Sequence, residues 1–268
     1  RWPGRRQAVK KQEIEGKELT AVRADRYKHL FTKELLMGPN AVRLLEEMLE
    51  NHPIRGGRVL DLGCGTGLTS LFLARETGAE QIFAVDLWIP ATENWKRIRE
   101  WGEERKIIPL HADARDLPFP EDFFDVIVSV DSYHYYGCQE RFFAEKMLPL
   151  IRPGGRALLL VPGLKREFEG NAPELLVEWL GDDISTFHDG NWWRNHIAQG
   201  CEDRIEVEVF ETRQFEQPWQ DWFDCGHEYG LDDQKFFSRG VDQFLSFIAI
   251  AVRVKEGGLS APCSAIST

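Results

Sequence analysis

Cysteine is sparse and unpaired in this chain of 268 residues: Cys64, Cys138, Cys201, Cys225 and Cys263 are odd in number, widely spaced and include no CxxC. That excludes a disulfide framework and a thiolate metal site, and no metal is expected. No apolar run is long enough to span a bilayer and no secretory pattern is present, so the cytoplasm is the expected compartment and a membrane is not an expected partner. Positive charge is also short. With 33 Lys and Arg against 44 Asp and Glu, the formal net charge is −11. Nucleic acid and anionic membranes both demand a concentrated basic surface, so neither fits; a small molecule does. The one basic cluster, Arg1, Arg5, Arg6, Lys10 and Lys11, lies in a polar segment, and residues 1–24 read as a flexible arm. Residues 257–268 are small and polar and read as a disordered tail.

One further absence is more telling. The segment Arg58-Val-Leu-Asp-Leu-Gly-Cys-Gly-Thr-Gly67 is an apolar run that ends in an acid and three alternating glycines. A dinucleotide fingerprint would need another glycine where Leu68 stands. Asp61, two residues before the first glycine, would also set negative charge beside a pyrophosphate, whereas it suits a cationic ligand. Gly63, Gly65 and Gly67 let the backbone turn sharply and approach a ligand with no Cβ in the way. Ile82-Phe-Ala-Val-Asp86 is a second apolar strand whose terminal acid is placed to accept from ribose hydroxyls.

From Val59 onward short β-branched runs alternate with amphipathic helices. Strands are expected at 59–62, 82–85, 107–111, 126–130 and 157–161, with helices at 68–77, 92–105 and 141–150 between them. Helical spacing also covers 25–32 and 41–51, broken by Met37-Gly-Pro-Asn40. Pro109 cannot donate to a ladder, which places the third strand at an edge. Two last strands, 205–212 and 244–254, are expected to pair antiparallel. The fold class is therefore α/β: a doubly wound, mostly parallel seven-stranded sheet with N-terminal helices. A single domain is expected over 25–256, with its core at 41–162. The segments 163–204 and 217–241 read as lid insertions that the sheet does not require.

The segment Asp61-Leu-Gly-Cys-Gly-Thr-Gly67, followed about twenty residues on by Ala84-Val-Asp86, resembles motif I and its successor in class I S-adenosylmethionine-dependent methyltransferases. The likeness spans about residues 41–162 and is strongest toward small-molecule enzymes of the ubiquinone/menaquinone-biosynthesis and phosphoethanolamine-methylating kind. It implies S-adenosylmethionine as cofactor and a Rossmann-like methyltransferase fold. Asp61 would face the methionine end, the amides of Gly63, Gly65 and Gly67 and the Thr66 hydroxyl would donate to the cofactor, and Asp86 would hold the ribose. Leu87 or Trp88 would cover the adenine, Asp113 would accept from its exocyclic amine, the Ala114 amide would donate, and Ser129 would join the cofactor site.

The acceptor side is expected at Val128-Ser-Val-Asp-Ser-Tyr-His-Tyr-Tyr-Gly137, a polar aromatic cluster at the end of the fourth strand. Methyl transfer from a sulfonium needs mainly alignment and removal of any proton the nucleophile carries. His134 and Tyr133 are candidates for that work. Asp131 would bind the methionine amino group or orient His134. Trp192 and Trp193 are candidate substrate residues, as a cage for a cationic amine or as lid core, and Tyr27 would close over cofactor or acceptor. The reading is a methyltransferase acting on nitrogen or oxygen of a small molecule. Its rivals are a non-catalytic cofactor-binding scaffold and an NAD-dependent oxidoreductase. Monomer and homodimer both stay open.

Overall fold

The computed structural model describes residues 23–257; the basic cluster and residues 258–268 lie outside the described residues. Seven strands form one sheet in the order β3-β2-β1-β4-β5-β7-β6. They are β1 (Arg58–Leu62), β2 (Gln81–Asp86), β3 (Ile107–His111), β4 (Phe124–Val130), β5 (Ile151–Leu164), β6 (Ile205–Glu211) and β7 (Leu245–Val254). The first five are parallel, and β7 pairs antiparallel with both β5 and β6. The helices are α1 (Ala41–Asn51), α2 (Leu68–Glu76), α3 (Ala91–Trp101), the single turn α4 (His134–Gly137), α5 (Glu174–Leu180), α6 (Gly190–Ala198), α7 (Glu216–Asp224) and α8 (Glu228–Phe237).

Alternate residues of each central strand enter opposite cores, which is why these strands read as continuous apolar runs. In β1, Val59 packs with Met48 of α1 and Phe72 of α2, while Leu60 and Leu62 pack with Phe142, Phe143 and Trp193 on the other face. Helix α1 begins where expected because the Asn40 side chain accepts from the Val42 amide at 3.1 Å. Pro109 lies in β3, which is outermost. At the opposite edge the Arg194 guanidinium donates to the carbonyls of Val207 and Val209 on β6, at 2.9 and 3.2 Å.

Three expectations need correction. The segment 25–32 is a 3-10 helix, Arg23–Leu30. The helix expected over 141–150 is a π turn, Phe143–Met147, followed by a 3-10 turn, Leu148–Leu150; Pro149 brings no N–H and cannot continue an α pattern. The segment 163–204 is also not wholly dispensable. Because β7 runs against both β5 and β6, β6 is parallel to β5 and must be reached by a crossover. Helix α6 is that crossover, with Trp193 and Ile197 fully buried on the sheet. The rest of the insertions builds a small third core of Leu164, Leu176, Phe187, Val241 and Leu245. Trp179, packed against this core, and Trp222, in the core that holds α1 and α2, both donate from their indoles to the Asp233 carboxylate, at 2.8 and 2.9 Å.

Candidate active site

After Leu62 the chain turns through Gly63 and Gly65, with φ of +73° and +53°, into α2. A side chain at Gly63 would overlap the Ser132 hydroxyl, and one at Gly65 would come within 2.9 Å of Met37 Sδ. The loop is tied across to β2. Gly63 and Cys64 amides donate to the Val85 carbonyl at 2.8 and 3.1 Å. The Gly65 amide donates to Asp86 Oδ2 at 2.8 Å, and the Trp88 and Ile89 amides both donate to Asp86 Oδ1 at 2.8 Å. Asp86 thus fixes the glycine loop against the turn that follows β2.

These ends enclose a cavity of about 340 Å³ at the carboxyl edge of the parallel strands. Its wall includes Gly63, Gly65 and Thr66, Asp86 with Leu87 and Trp88, and Asp113 with Ala114 and Arg115. The turn after β4 contributes Asp131, Ser132, Tyr135 and Tyr136. The Asp113 carboxylate accepts from the Arg115 amide and guanidinium at 2.8 and 2.9 Å, which holds it below the usual carboxylate range. Residues 35–39 form a further wall, tied to the loop by the Thr66 hydroxyl, which donates to the Leu35 carbonyl at 2.6 Å. That wall was not anticipated. Its only sequence signal is Met37-Gly-Pro-Asn40, which reads equally well as a plain helix break.

Several expected site residues lie elsewhere. Gly67 is the N-cap of α2, packs toward Trp101 and does not line the cavity. Ser129 is fully buried in β4, its hydroxyl 3.1 Å from that of Tyr136. Tyr27 is on the outer side of α2, donating to Glu76 at 2.9 Å and edge-on to Phe72. Tyr133 is fully buried against Phe142 and Trp193. His134 is buried against Tyr135 and Phe187, and burial pushes its pKa down to about 3, so it is a poor proton acceptor there. Trp192 is stacked between His188 and His196, at 3.5 and 4.2 Å. Neither it nor Trp193 reaches the cavity wall.

Asp61 also turns away, its Oδ2 accepting from the Thr69 and Ser70 hydroxyls at 2.7 and 2.6 Å. Burial raises its pKa to about 6, with the Asp86 charge acting in the same direction. The folded state therefore binds this proton more tightly than the unfolded chain, so stability falls as pH rises from about 4 to about 6. Asparagine would keep an acceptor for both hydroxyls and remove the buried charge. Asp61→Asn is expected to abolish that slope in a pH series of thermal melts and to match or exceed the parent at pH 7. A lower melting temperature at pH 7 would show that the charge stabilises.

The family described as a methyltransferase domain matches residues 59–155. Among curated relatives, a demethylmenaquinone methyltransferase of Clavibacter sepedonicus is 36% identical over 156 residues, covering 51% of this chain and 62% of that protein. Methyltransferase GfsG of Streptomyces halstedii is 34% identical over 145 residues, covering 54% and 47%. Residues 59–155 are a methyltransferase domain. The chain spans less than half the length of GfsG. The domain superposes on phosphoethanolamine N-methyltransferase 2 of Haemonchus contortus with a TM-score of 0.65 and 18% identity, over 82% of this chain and 54% of that one. It superposes on the [4+2]-cyclase SpnF with a TM-score of 0.62 and 18% identity, over 87% and 95%. Likeness at this level establishes the methyltransferase fold, and a fold that also serves a cyclase leaves the reaction to the site. Leu68 opens α2 of the domain, buried, where the dinucleotide fingerprint needs glycine.

Proposed function

We propose that this chain binds S-adenosylmethionine in the cavity at the carboxyl edge of the sheet and transfers its methyl group to nitrogen or oxygen of a small molecule. The observation that carries this reading is the joined pair of cofactor elements. A glycine loop with no room for a side chain at Gly63 is held by the same Asp86 carboxylate that ends β2 at the cavity wall. Three backbone donors occupy three of the roughly four lone-pair sites of that carboxylate, leaving one for a ribose hydroxyl. Asp113 and Ala114 stand in the wall where the adenine would be held, with Leu87 beside them.

The bound cofactor supplies a methyl group already activated on a sulfonium, so the chain has to exclude water, align the acceptor and take up its proton. Tyr133 and His134, the two residues expected to handle a proton, do not line the cavity, whereas Asp131, expected to bind the methionine amino group or orient His134, does. Burial lifts its pKa to about 8, with the Asp233 charge acting in the same direction. That range suits proton exchange near neutrality.

Calorimetric titration with S-adenosylhomocysteine, with NAD in parallel, tests the cofactor assignment. Micromolar binding of S-adenosylhomocysteine and none of NAD is expected. Binding of NAD alone, or of neither, would overturn it. Binding without product across a broad acceptor library would leave a scaffold that holds the cofactor.

A further inference from the structure

Four charged side chains line the cavity: Asp86, Asp113, Arg115 and Asp131. Asp86 is engaged by three backbone amides, and Asp113 and Arg115 pair with each other. Asp131 makes no side-chain hydrogen bond or ion pair among the described residues. The cavity therefore holds one acid with no partner among the described residues; burial favours its neutral form, and a cation bound beside it would draw it into the ionised one. Asp131 is held in place by its backbone, which has a φ of +54° and donates from its amide to the Leu160 carbonyl at 2.8 Å. A non-glycine residue in this conformation at a cavity wall is a fixed feature rather than a relaxed turn.

Direction separates the two neighbours Asp131 and Ser132. A side chain at Gly63, in the cofactor loop, would strike Ser132, whereas one at Gly38 would strike the carboxylate of Asp131. Ser132 thus faces the glycine loop, and Asp131 faces the 35–39 wall, on the side influenced by Asp233 of α8. Tyr135 and the exposed Trp88 line the same cavity as an edge-to-face pair with centroids 5.5 Å apart. Aromatic faces beside an unpaired carboxylate attract a cation by two independent terms, ring quadrupole and ion pairing. A neutral hydroxyl acceptor would gain from neither.

We infer that the acceptor is a basic amine, recognised as its ammonium form by Asp131 with Trp88 and Tyr135, and that Asp131 is the catalytic residue that takes its proton. This rests on the methyltransferase reading above. The ammonium gives one proton to the Asp131 carboxylate and becomes a neutral amine with a free electron pair. That pair forms the new N–C bond as the S–C bond of the sulfonium breaks, and the S–C pair stays on sulfur as a thioether. The product leaves as a methylated ammonium, and the proton on Asp131 passes to water at the cavity mouth. An amine of ordinary basicity needs only a weak base for this, whereas an alkanol would need a far stronger one.

The test uses the chain loaded with S-adenosylhomocysteine and matched probes, 2-phenylethylamine and N-methyl-2-phenylethylamine against 2-phenylethanol. Titration calorimetry reads binding, and mass spectrometry reads methyl transfer when S-adenosylmethionine replaces the product. The amines are expected to bind at least tenfold more tightly than the alcohol. Asp131→Asn, which tolerates the left-handed backbone, is expected to remove that preference and lower amine methylation about 100-fold, with S-adenosylhomocysteine affinity within threefold of the parent. No preference for amine over alcohol, methylation of the alcohol, or full amine preference in the variant would each overturn the proposal. Loss of S-adenosylhomocysteine binding in the variant would assign Asp131 to the cofactor instead and overturn it too. Failure of the unaltered chain to bind S-adenosylhomocysteine is the separate outcome that defeats the methyltransferase reading itself.

Discussion

Gly63→Ala is expected to abolish measurable S-adenosylhomocysteine binding and to destabilise the domain by about 2–5 kcal/mol. Two costs combine. The φ of +73° at this position disfavours any L side chain, and the new methyl would overlap both the hydroxyl and the Cβ of Ser132. Ser132 follows the residue that ends the β4 turn in a left-handed conformation, so it cannot withdraw without disturbing Asp131. Urea denaturation and calorimetry read the two effects. The second site gives an internal check, because Ser132→Gly removes the overlap and leaves only the backbone cost. The double variant Gly63→Ala with Ser132→Gly should regain about half of the lost stability. If it regained none, the collision would not be the cause, and unchanged cofactor affinity in Gly63→Ala would place the cofactor elsewhere.

Asp86→Asn is expected to weaken S-adenosylhomocysteine binding about 100-fold, equivalent to about 2.7 kcal/mol, although the substitution is nearly isosteric. The carboxylate accepts from Gly65 on one oxygen and from Trp88 and Ile89 on the other. An amide presents only one acceptor atom, so whichever way it is turned at least one backbone N–H meets another donor. Charge-assisted hydrogen bonds of this kind contribute roughly 1.5–3 kcal/mol each. Losing one of them frees either the glycine loop or the turn after β2, and both belong to the cavity wall. Titration calorimetry with the variant checks this, and an affinity within threefold of the parent would show that Asp86 only decorates the site. A crystal of the variant with the loop unmoved but the ligand lost would instead assign the whole effect to the ribose contact.

Strands β1, β2 and β4 were legible because each is largely buried on both faces, so apolar content alone marks them, whereas the edge strand β3 is buried only at Ile107. The start of α1 was legible because Asn40 precedes an amphipathic run and caps it. The glycine loop and Asp86 were legible because their chemistry is local, a turn followed at fixed spacing by an acid. What followed β4 was not. Helix α4 is a single turn, too short to carry a periodicity that fixes which residues face inward. Tyr135 and Tyr136 turn toward the cavity while Tyr133 and His134 turn into the core. The partners that bury His134 and Tyr133 are Phe187 and Trp193, more than fifty residues further along the chain. The position of Trp193 itself follows from the crossover to β6, a property of strand order that no local window contains. Asp61 was misplaced for a related reason: its hydroxyl partners lie in the first turn of α2, and nothing in the spacing says whether an acid at the end of β1 faces that turn or the ligand.

The two rims of the sheet bear on how copies of this chain can associate. At the β3 rim, Pro109 presents no N–H to an incoming strand. At the β6 rim, Arg194 already occupies the Val207 and Val209 carbonyls that such a strand would need. Exposed Glu206 and Glu208 would also face their own counterparts if two copies met there about a twofold axis. Neither rim is a template for sheet extension, which protects a long twisted sheet from edge-to-edge polymerisation. Contacts between copies of the described domain are therefore expected on its helices and loops rather than along its sheet edges.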